Sequence, residues 1–515
     1  MTFTPPRPRA ALALAVALTL AGCAFAPPKL QHPALRDDVP LAGLSAPTRA
    51  GWPATDWWRA YDDPLLDELM ATALQQSPDL AQAQSRVLTA EQSVKLAAAQ
   101  AGLSINGSAQ VSRQRLSEHG LMPPQLLGFT WYNQADLGVQ FQYDFDWWGK
   151  KRAAIESALD QAHAAEAQRS AAALTIQSSV ADTYFGWLAD EARLALAQQA
   201  LAVQQHLLQI AELRVRQGVD LPDAVQEAHA RVAAVEQMQT ALQGSAQIRK
   251  VALAALLGVA PAQLPALSPR PLPAISGALP ADAGLDLVAR RPDIAASRWQ
   301  VEAALKQTDV ARAQYFPDFS ITAMAGLSST NQGAPALFGG GSSGDLGNVF
   351  SAGSRVFGIT PALHLPIFEG GRLKAAYGIS RAQLDDAVAQ YNAAVFHAAR
   401  EVASQALAAE QLDTNRQQQE RQVGANEHLV ANAEARLRRG VRDAREGLAA
   451  QAQLLQQQDQ AITLHAQALS TDLALIKALG GGYRIPADAA GTAPPSPTPS
   501  SDTSSSKNAS RSPRP

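Results

Sequence analysis

The stretch FQYDFDWWGKKRAA, residues 141–154, changes character halfway along. Phe141, Tyr143, Phe145 and Trp147 alternate with Gln142, Asp144 and Asp146. That period of two belongs to a strand whose two faces meet different surroundings. Past Trp148 and Gly149, three basic residues run into alanine, and no proline interrupts the chain until after Gly218. Such a composition favours helix. A continuous helix from Gly149 to Gly218 would extend on the order of 100 Å. A strand therefore hands over to a very long helix at Gly149, with Trp147 and Trp148 beside the junction.

The same transition occurs again at LPIFEGGRLKAA, residues 365–376, and Gly371 to Gly440 is a second proline-free run of equal length. The chain is in fact written twice. SPDLAQAQSRVLTAEQSVKLAAAQ (77–100) aligns without a gap on RPDIAASRWQVEAALKQTDVARAQ (291–314), and Pro78 falls on Pro292. RVRQGV (214–219) falls on RLRRGV (436–441), and ALAALLG (252–258) on ALIKALG (474–480). A repeat of this size marks a duplicated structural plan. Each copy reads as helix, strand, loop, strand and a long helical hairpin turning at R-x-G-V. Repeat 1 is expected over 61–258, with strands at about 103–113 and 136–147. A proline-rich linker follows over 259–285. Repeat 2 is expected over 286–482, with strands at about 317–328 and 355–368. Leu194, Leu201, Leu208 and Val215, seven apart, read as a hairpin packing seam. The Ser/Pro/Thr-rich tail, 487–515, has the composition of disorder.

The strands alternate apolar with polar residues over runs that suit a tilted crossing of a bilayer. Alternation alone also suits a soluble sandwich. No run past residue 22 reaches the eighteen or so apolar residues of a spanning helix, so a membrane crossing would have to be made by strands. Four strands cannot close, and open edges cannot exist in lipid. At least two chains are required, and the pattern does not choose between two and three. The loops at 117–132 and 329–353 join each strand pair. The second holds G-x-G-x-x-G and G-x-S-x-G matches around Ser342, but neither sits at a strand-to-helix turn of an α/β unit, so neither reads as a site.

At the N-terminus, Arg7 and Arg9 precede an apolar run, Ala10–Leu20, and Leu20-Ala21-Gly22-Cys23. This reads as a lipoprotein signal over 1–22, with Cys23 carrying an acyl chain such as palmitate and 23–60 forming the anchored segment. Ala24 in place of aspartate favours the outer membrane. Cys23 is the single cysteine of 515 residues, which excludes an internal disulfide and a thiolate metal cluster. Net charge is −3 and the basic residues are spread among acidic ones, which gives no nucleic-acid footprint. The nine histidines are scattered, without H-E-x-x-H, C-x-x-C or a P-loop. No catalytic residue, metal site or cofactor is expected, and the chain does not read as an enzyme.

With these motifs in place, the W-W-x-x-x-x-D-P opening at Trp57–Pro64, the S/R-P-D starts, DWWGKKRAA, LPIFEGGRLKAA and the paired hairpin tips together resemble the outer-membrane efflux proteins. The match is to the TolC-like fold and its NodT/OprM lipoprotein branch, over about residues 45–485. The resemblance implies a mostly α protein with membrane β: a homotrimer in which four strands per chain close one shared barrel and the hairpins form a periplasmic tunnel. It implies an outer-membrane, lipid-anchored exit duct of a tripartite pump, with a periplasmic adaptor and an inner-membrane RND-type pump as partners and drugs or aromatic compounds as cargo. Trp147, Trp148, Gly149 and Gly371 then mark the membrane boundary. The tips Arg216, Gly218, Val219 and Arg438, Gly440, Val441 meet the adaptor. Glu446 stands where relatives often carry a pore-facing aspartate. Arg442 matches an arginine that ties one hairpin to its neighbour, but the usual acidic partner is replaced by Ala224, so Asp223 is the expected substitute. A lipid-anchored periplasmic coiled-coil adaptor or scaffold is the competing reading, and an envelope hydrolase a third, disfavoured by the missing site.

Overall fold

A computed structural model describes residues 26–31, 33–36, 48–49, 51–119, 124–275, 279–280, 283–332, 345–441 and 443–485. Cys23, the signal segment 1–22, Arg442 and the tail 487–515 lie outside them. The helices of eight or more residues are Pro64–Gln76 (α1), Pro78–Ala101 (α2), Lys150–Arg216 (α3), Asp223–Leu257 (α4), Ala283–Arg290 (α5), Pro292–Ala313 (α6), Arg372–Arg438 (α7) and Ala444–Ala478 (α8). The long strands are Ser104–Arg115 (β1), Trp131–Phe145 (β2), Asp318–Thr330 (β3) and Arg355–His364 (β4). Both hairpins are built alike: 67 residues out along α3 or α7, and 35 back along α4 or α8.

The shorter return helices are completed end to end by the helix that opens each repeat. Gly258, with φ +73°, turns the end of α4 against the Gln76 carbonyl and the Pro78 ring. Gly480, with φ +90°, turns the end of α8 against the Arg290 carbonyl. A Cβ at either position would collide with that backbone, so the repeated L-x-G ending is a packing requirement. The core sits around this joint. Leu66, Leu69 and Met70 of α1 pack with Tyr184, Phe185, Trp187 and Leu188 of α3 and Leu253 and Leu257 of α4. Asp63 fastens α1 there. Its carboxylate accepts from the Leu65 amide (2.9 Å), the Tyr184 hydroxyl (2.8 Å) and Arg270 (2.9 Å). A second core joins Ile294, Val301 and Leu305 of α6 to Tyr391, Val395 and Val402 of α7. The heptad seam Leu194–Val215 is only half-buried.

The four strands form one antiparallel sheet in the order β1-β2-β3-β4, leaving β1 and β4 as open edges. Register sorts the two faces. Rows such as Ile105–Phe141–Ala323–Ile359 alternate with rows such as Ser104–Gln142–Thr322–Thr360. The apolar face lies open along the chain: Val111 is 74 % exposed, Ile359 76 % and Phe357 87 %.

Two strands depart most from their expected bounds. β2 begins at Trp131 and ends at Phe145, so Trp147 and Trp148 lie in a turn beyond it. The ladder stops because Asp146 bends away to accept from the Lys151 and Arg152 amides, both at 2.9 Å. These are orphan donors of a helix start, which an acidic side chain satisfies well. β4 ends at His364 rather than near 368, just before Pro366, which has no N–H to extend a ladder.

Candidate functional site

The molecule has two ends where exposed chemistry concentrates: the strand–helix junction and the hairpin tips. At the junction, Gly149 adopts φ +75° and Gly371 φ +87°, each immediately before a 67-residue helix. Trp148 stacks on Phe316 at 4.6 Å and donates its indole N–H to the Pro317 carbonyl at 2.9 Å. Trp147 stacks on Phe319 at 5.2 Å and stays 65 % exposed. Lys150 pairs with Asp318 at 3.2 Å, and Lys151 donates to the Ala101 and Asp144 carbonyls. The two repeats are thus tied together at this level.

Residues 26–31 and 33–36 run along α6 and α7 as a strap. Arg312 donates to the Pro27 carbonyl at 2.8 Å, Lys29 pairs with Asp309 at 3.7 Å, and the Tyr391 hydroxyl donates to the Arg36 carbonyl at 3.0 Å. The strap runs from the junction toward the middle of the helices. Below the junction, Asp160 and Glu302 are buried together between α3 and α6, beside Glu156 and Lys306, which pair at 2.7 Å. Burial first, then the neighbouring Glu302 charge, pushes the Asp160 carboxyl up to about 7.

At the tips the two turns share one backbone. Gly218 (φ +70°) and Gly440 (φ +68°) are left-handed, and the following valine amide returns to the Arg214 or Arg436 carbonyl. Their side chains differ. Arg214 makes a two-pronged bond to Asp220, at 2.7 and 2.9 Å, and Arg445 of the second tip reaches the same carboxylate at 3.7 Å. The Arg214 hydrogen bond holds the Asp220 carboxyl below its ordinary range. Arg436 pairs with Glu446 across its own turn, and Arg438 with Glu434 at 3.6 Å. Asp223 is exposed at the start of α4, with no ion-pair partner among the described residues. Arg216 pairs with Glu212 on its own helix at 3.8 Å, and Val219 and Val441 are exposed. An apolar groove of about 360 Å³ lies just inside the tips, lined by His206, Ile210, Val430, Leu437 and Leu448.

Sequence reasoning missed Arg214, Asp220, Arg436 and Arg445. The repeat held the signal. Aligned tip on tip, Asp220 falls on Arg442, Asp223 on Arg445 and Ala224 on Glu446. Like backbones with opposite charges are a reason to expect one tip to face the other. Among the described residues, no group of His, Cys, Asp and Glu could hold a metal ion, and no helix is long and apolar enough to cross a membrane.

Comparison with known proteins adds four findings. The family described as "outer membrane efflux protein" matches residues 69–259 and 286–481, which are the two repeats. The multidrug resistance outer membrane protein MdtP of Escherichia coli K12 is 31 % identical over 457 residues, covering 87 % of this chain and 90 % of its own. The fusaric acid resistance protein FusA of Burkholderia cepacia is 33 % identical over 380 residues, 72 % of this chain and 68 % of its own. Among solved structures, the outer membrane protein VceC of Vibrio cholerae superposes with a TM-score of 0.73 at 32 % identity, covering 84 % of this chain and 100 % of its own.

Proposed function

The chain belongs to the outer membrane efflux protein family, and from that premise we propose a division of labour along its length. It is an outer-membrane efflux channel with the TolC-like fold. The observation that carries the reading is a four-stranded sheet with one exposed apolar face and two open edges, attached to paired 67-residue helices. Such a sheet is tenable only where lipid meets the apolar face and further copies pair the edges. A soluble coiled-coil adaptor or scaffold would have no use for that face.

Three copies close the barrel, and the tunnel between the hairpins passes drugs or aromatic compounds without chemistry of its own. A periplasmic adaptor seats on the tips at Arg216, Gly218, Val219, Arg438, Gly440 and Val441 and in the adjoining apolar groove. An inner-membrane RND-type pump supplies the energy. The tips close the tunnel through Asp220, held by Arg214 and reached by Arg445, with Asp223, Arg442 and Glu446 completing the charged rim. Trp147, Trp148, Gly149 and Gly371 lie at the periplasmic boundary of the outer membrane. Cys23 carries the lipid. Pro27, four residues later, sits beside Arg312, close to the start of β3. Four residues reach at most ~14 Å, enough to place the anchor at that boundary.

Deleting the gene, together with any paralogues, is expected to raise sensitivity to toxic small molecules. Unchanged susceptibility across a broad panel of drugs and aromatic acids would overturn the duct reading. Cys23→Ser is expected to abolish radioactive fatty-acid labelling while the purified trimer still conducts in a planar bilayer. Labelling that persists would reject the anchor.

A further inference from the structure

The apolar face of the sheet carries three charged side chains, and their placement is not random. Its strand positions on β1, β2, β3 and β4 include no acidic residue. The charges are Arg113, Arg115 and Arg355, all arginine and all toward the strand ends farthest from the helices. Arg113 lies over the Trp131 ring at 5.2 Å, and Arg115 pairs with Glu118 at 3.1 Å. Neither Arg113 nor Arg355 has an acidic partner among the described residues, and both are exposed.

Their height can be worked out from the strand. From Leu103, where the apolar face begins, to Arg113 is ten residues, or about 33 Å along the strand. A tilt of roughly 40° makes that about 25 Å along the membrane normal, the full height of a barrel's apolar band. A guanidinium on the lipid face is costly at mid-bilayer and nearly neutral at the boundary, so these residues belong at the outer edge. β1 and β4 are the open edges, so closure by further copies sets Arg355 of one chain on the strand next to Arg113 and Arg115 of another. Each seam then presents a cluster of guanidiniums beside one carboxylate, Glu118, with an indole ring beneath. Guanidinium binds phosphate through paired N–H groups, and this arrangement leaves those groups open to lipid headgroups.

We propose that each barrel seam binds the phosphate groups of a phosphorylated glycolipid in the outer leaflet, with Arg113, Arg115 and Arg355 as its ligands. The proposal rests on the outer-membrane channel reading. Bound lipid would bridge two chains and strengthen the trimer at its open edges.

The test uses the full-length trimer in nanodiscs, with bisphosphorylated lipid A, the same lipid stripped of phosphate, and inorganic phosphate as probes. Bound lipid is counted by native mass spectrometry and trimer melting is followed in parallel. The parent is expected to retain bisphosphorylated lipid A and to melt higher with it. The triple variant R113Q/R115Q/R355Q is expected to retain roughly tenfold less, and R113K/R115K/R355K to recover part of the loss. Equal retention of the dephosphorylated lipid, or undiminished retention by the triple variant, overturns the site. A shift produced by inorganic phosphate alone in nanodiscs without lipid A would assign the arginines to free anion and also overturn it. Should the triple variant not assemble, the single variant R355Q is measured the same way. Single-channel conductance of each sample separates the two levels of the argument: a trimer that conducts without retaining lipid A refutes only the lipid site, whereas one that never conducts refutes the channel.

Discussion

The two repeats differ where it is least expected, in polar side chains placed on matching backbone. Position 77 opens repeat 1 with a buried serine whose side chain makes no capping bond. Its counterpart, Arg291, is a buried hub bonded to Asp293 (2.7 Å), Glu401 (2.9 Å) and the Ala478 carbonyl (2.7 Å). Asp160 on α3 is matched by Ala382 on α7, and Asp220 at the first tip by Arg442 at the second. Helix lengths, tip glycines and end-to-end joints were kept, because they set the geometry of both hairpins. Charges diverged, because the two hairpins meet different neighbours. Duplication supplied a scaffold, and divergence made its halves complementary.

The comparison breaks most visibly at the repeat starts. Arg291→Ala leaves the buried Ala478 carbonyl without its partner and is expected to cost about 2–3 kcal/mol. Ser77→Ala should stay within about 1 kcal/mol. Thermal unfolding of the two purified variants checks the contrast, and equal losses would remove the asymmetry.

The buried seam is next. Asp160 ordinarily titrates at 3.8 and is raised to about 7 by burial and by Glu302, against the opposing charge of Lys306. A carboxyl raised on folding favours the folded state fully below its ordinary value. That contribution is lost as pH climbs to about 7 and stays lost above. Asp160→Asn is expected to flatten the fall in melting temperature between pH 4 and 7 and to be the more stable protein at pH 8, by on the order of 1–3 kcal/mol. A parent and variant with parallel pH profiles would show that Asp160 is already relieved by its neighbours.

The tips give the smallest energies and the clearest functional readout. Asp220→Arg makes the first tip resemble the second and sets Arg214 and Arg445 against a like charge. Pairs this open to solvent are strongly screened, so a several-fold rise in the open fraction is the expected scale, read as single-channel conductance in a planar bilayer. The double variant D220R/R445D should restore the parent's conductance in part. No change in either would place the closing contacts elsewhere on the rim.

Much of this was legible in the chain. Duplication, strand positions to within a few residues, the long hairpins and the glycine turns all follow from spacing, because period, proline and glycine act locally. The extra strand residues from Trp131 and the early stop at Phe145 were not, since a carboxylate turning back to cap a helix looks the same in sequence as one facing water. The contact between the tips escaped for a related reason: Asp223 and Glu446 were chosen by position in a motif, while Asp220 meets Arg445, distant in sequence and brought close only by the folded hairpins.

By itself, the sequence determined a duplicated chain of long helical hairpins and four alternating strands, because hydrophobic period and backbone-restricting residues act within a few positions of themselves. The tertiary structure alone decided how the strands pair and so that the three arginines gather at one end of the sheet, which glycines are held against a neighbouring helix end, and which of many surface charges meet. Those outcomes depend on register and on the joining of segments hundreds of residues apart, where a distance of a few ångströms separates an ion pair from two solvated ions.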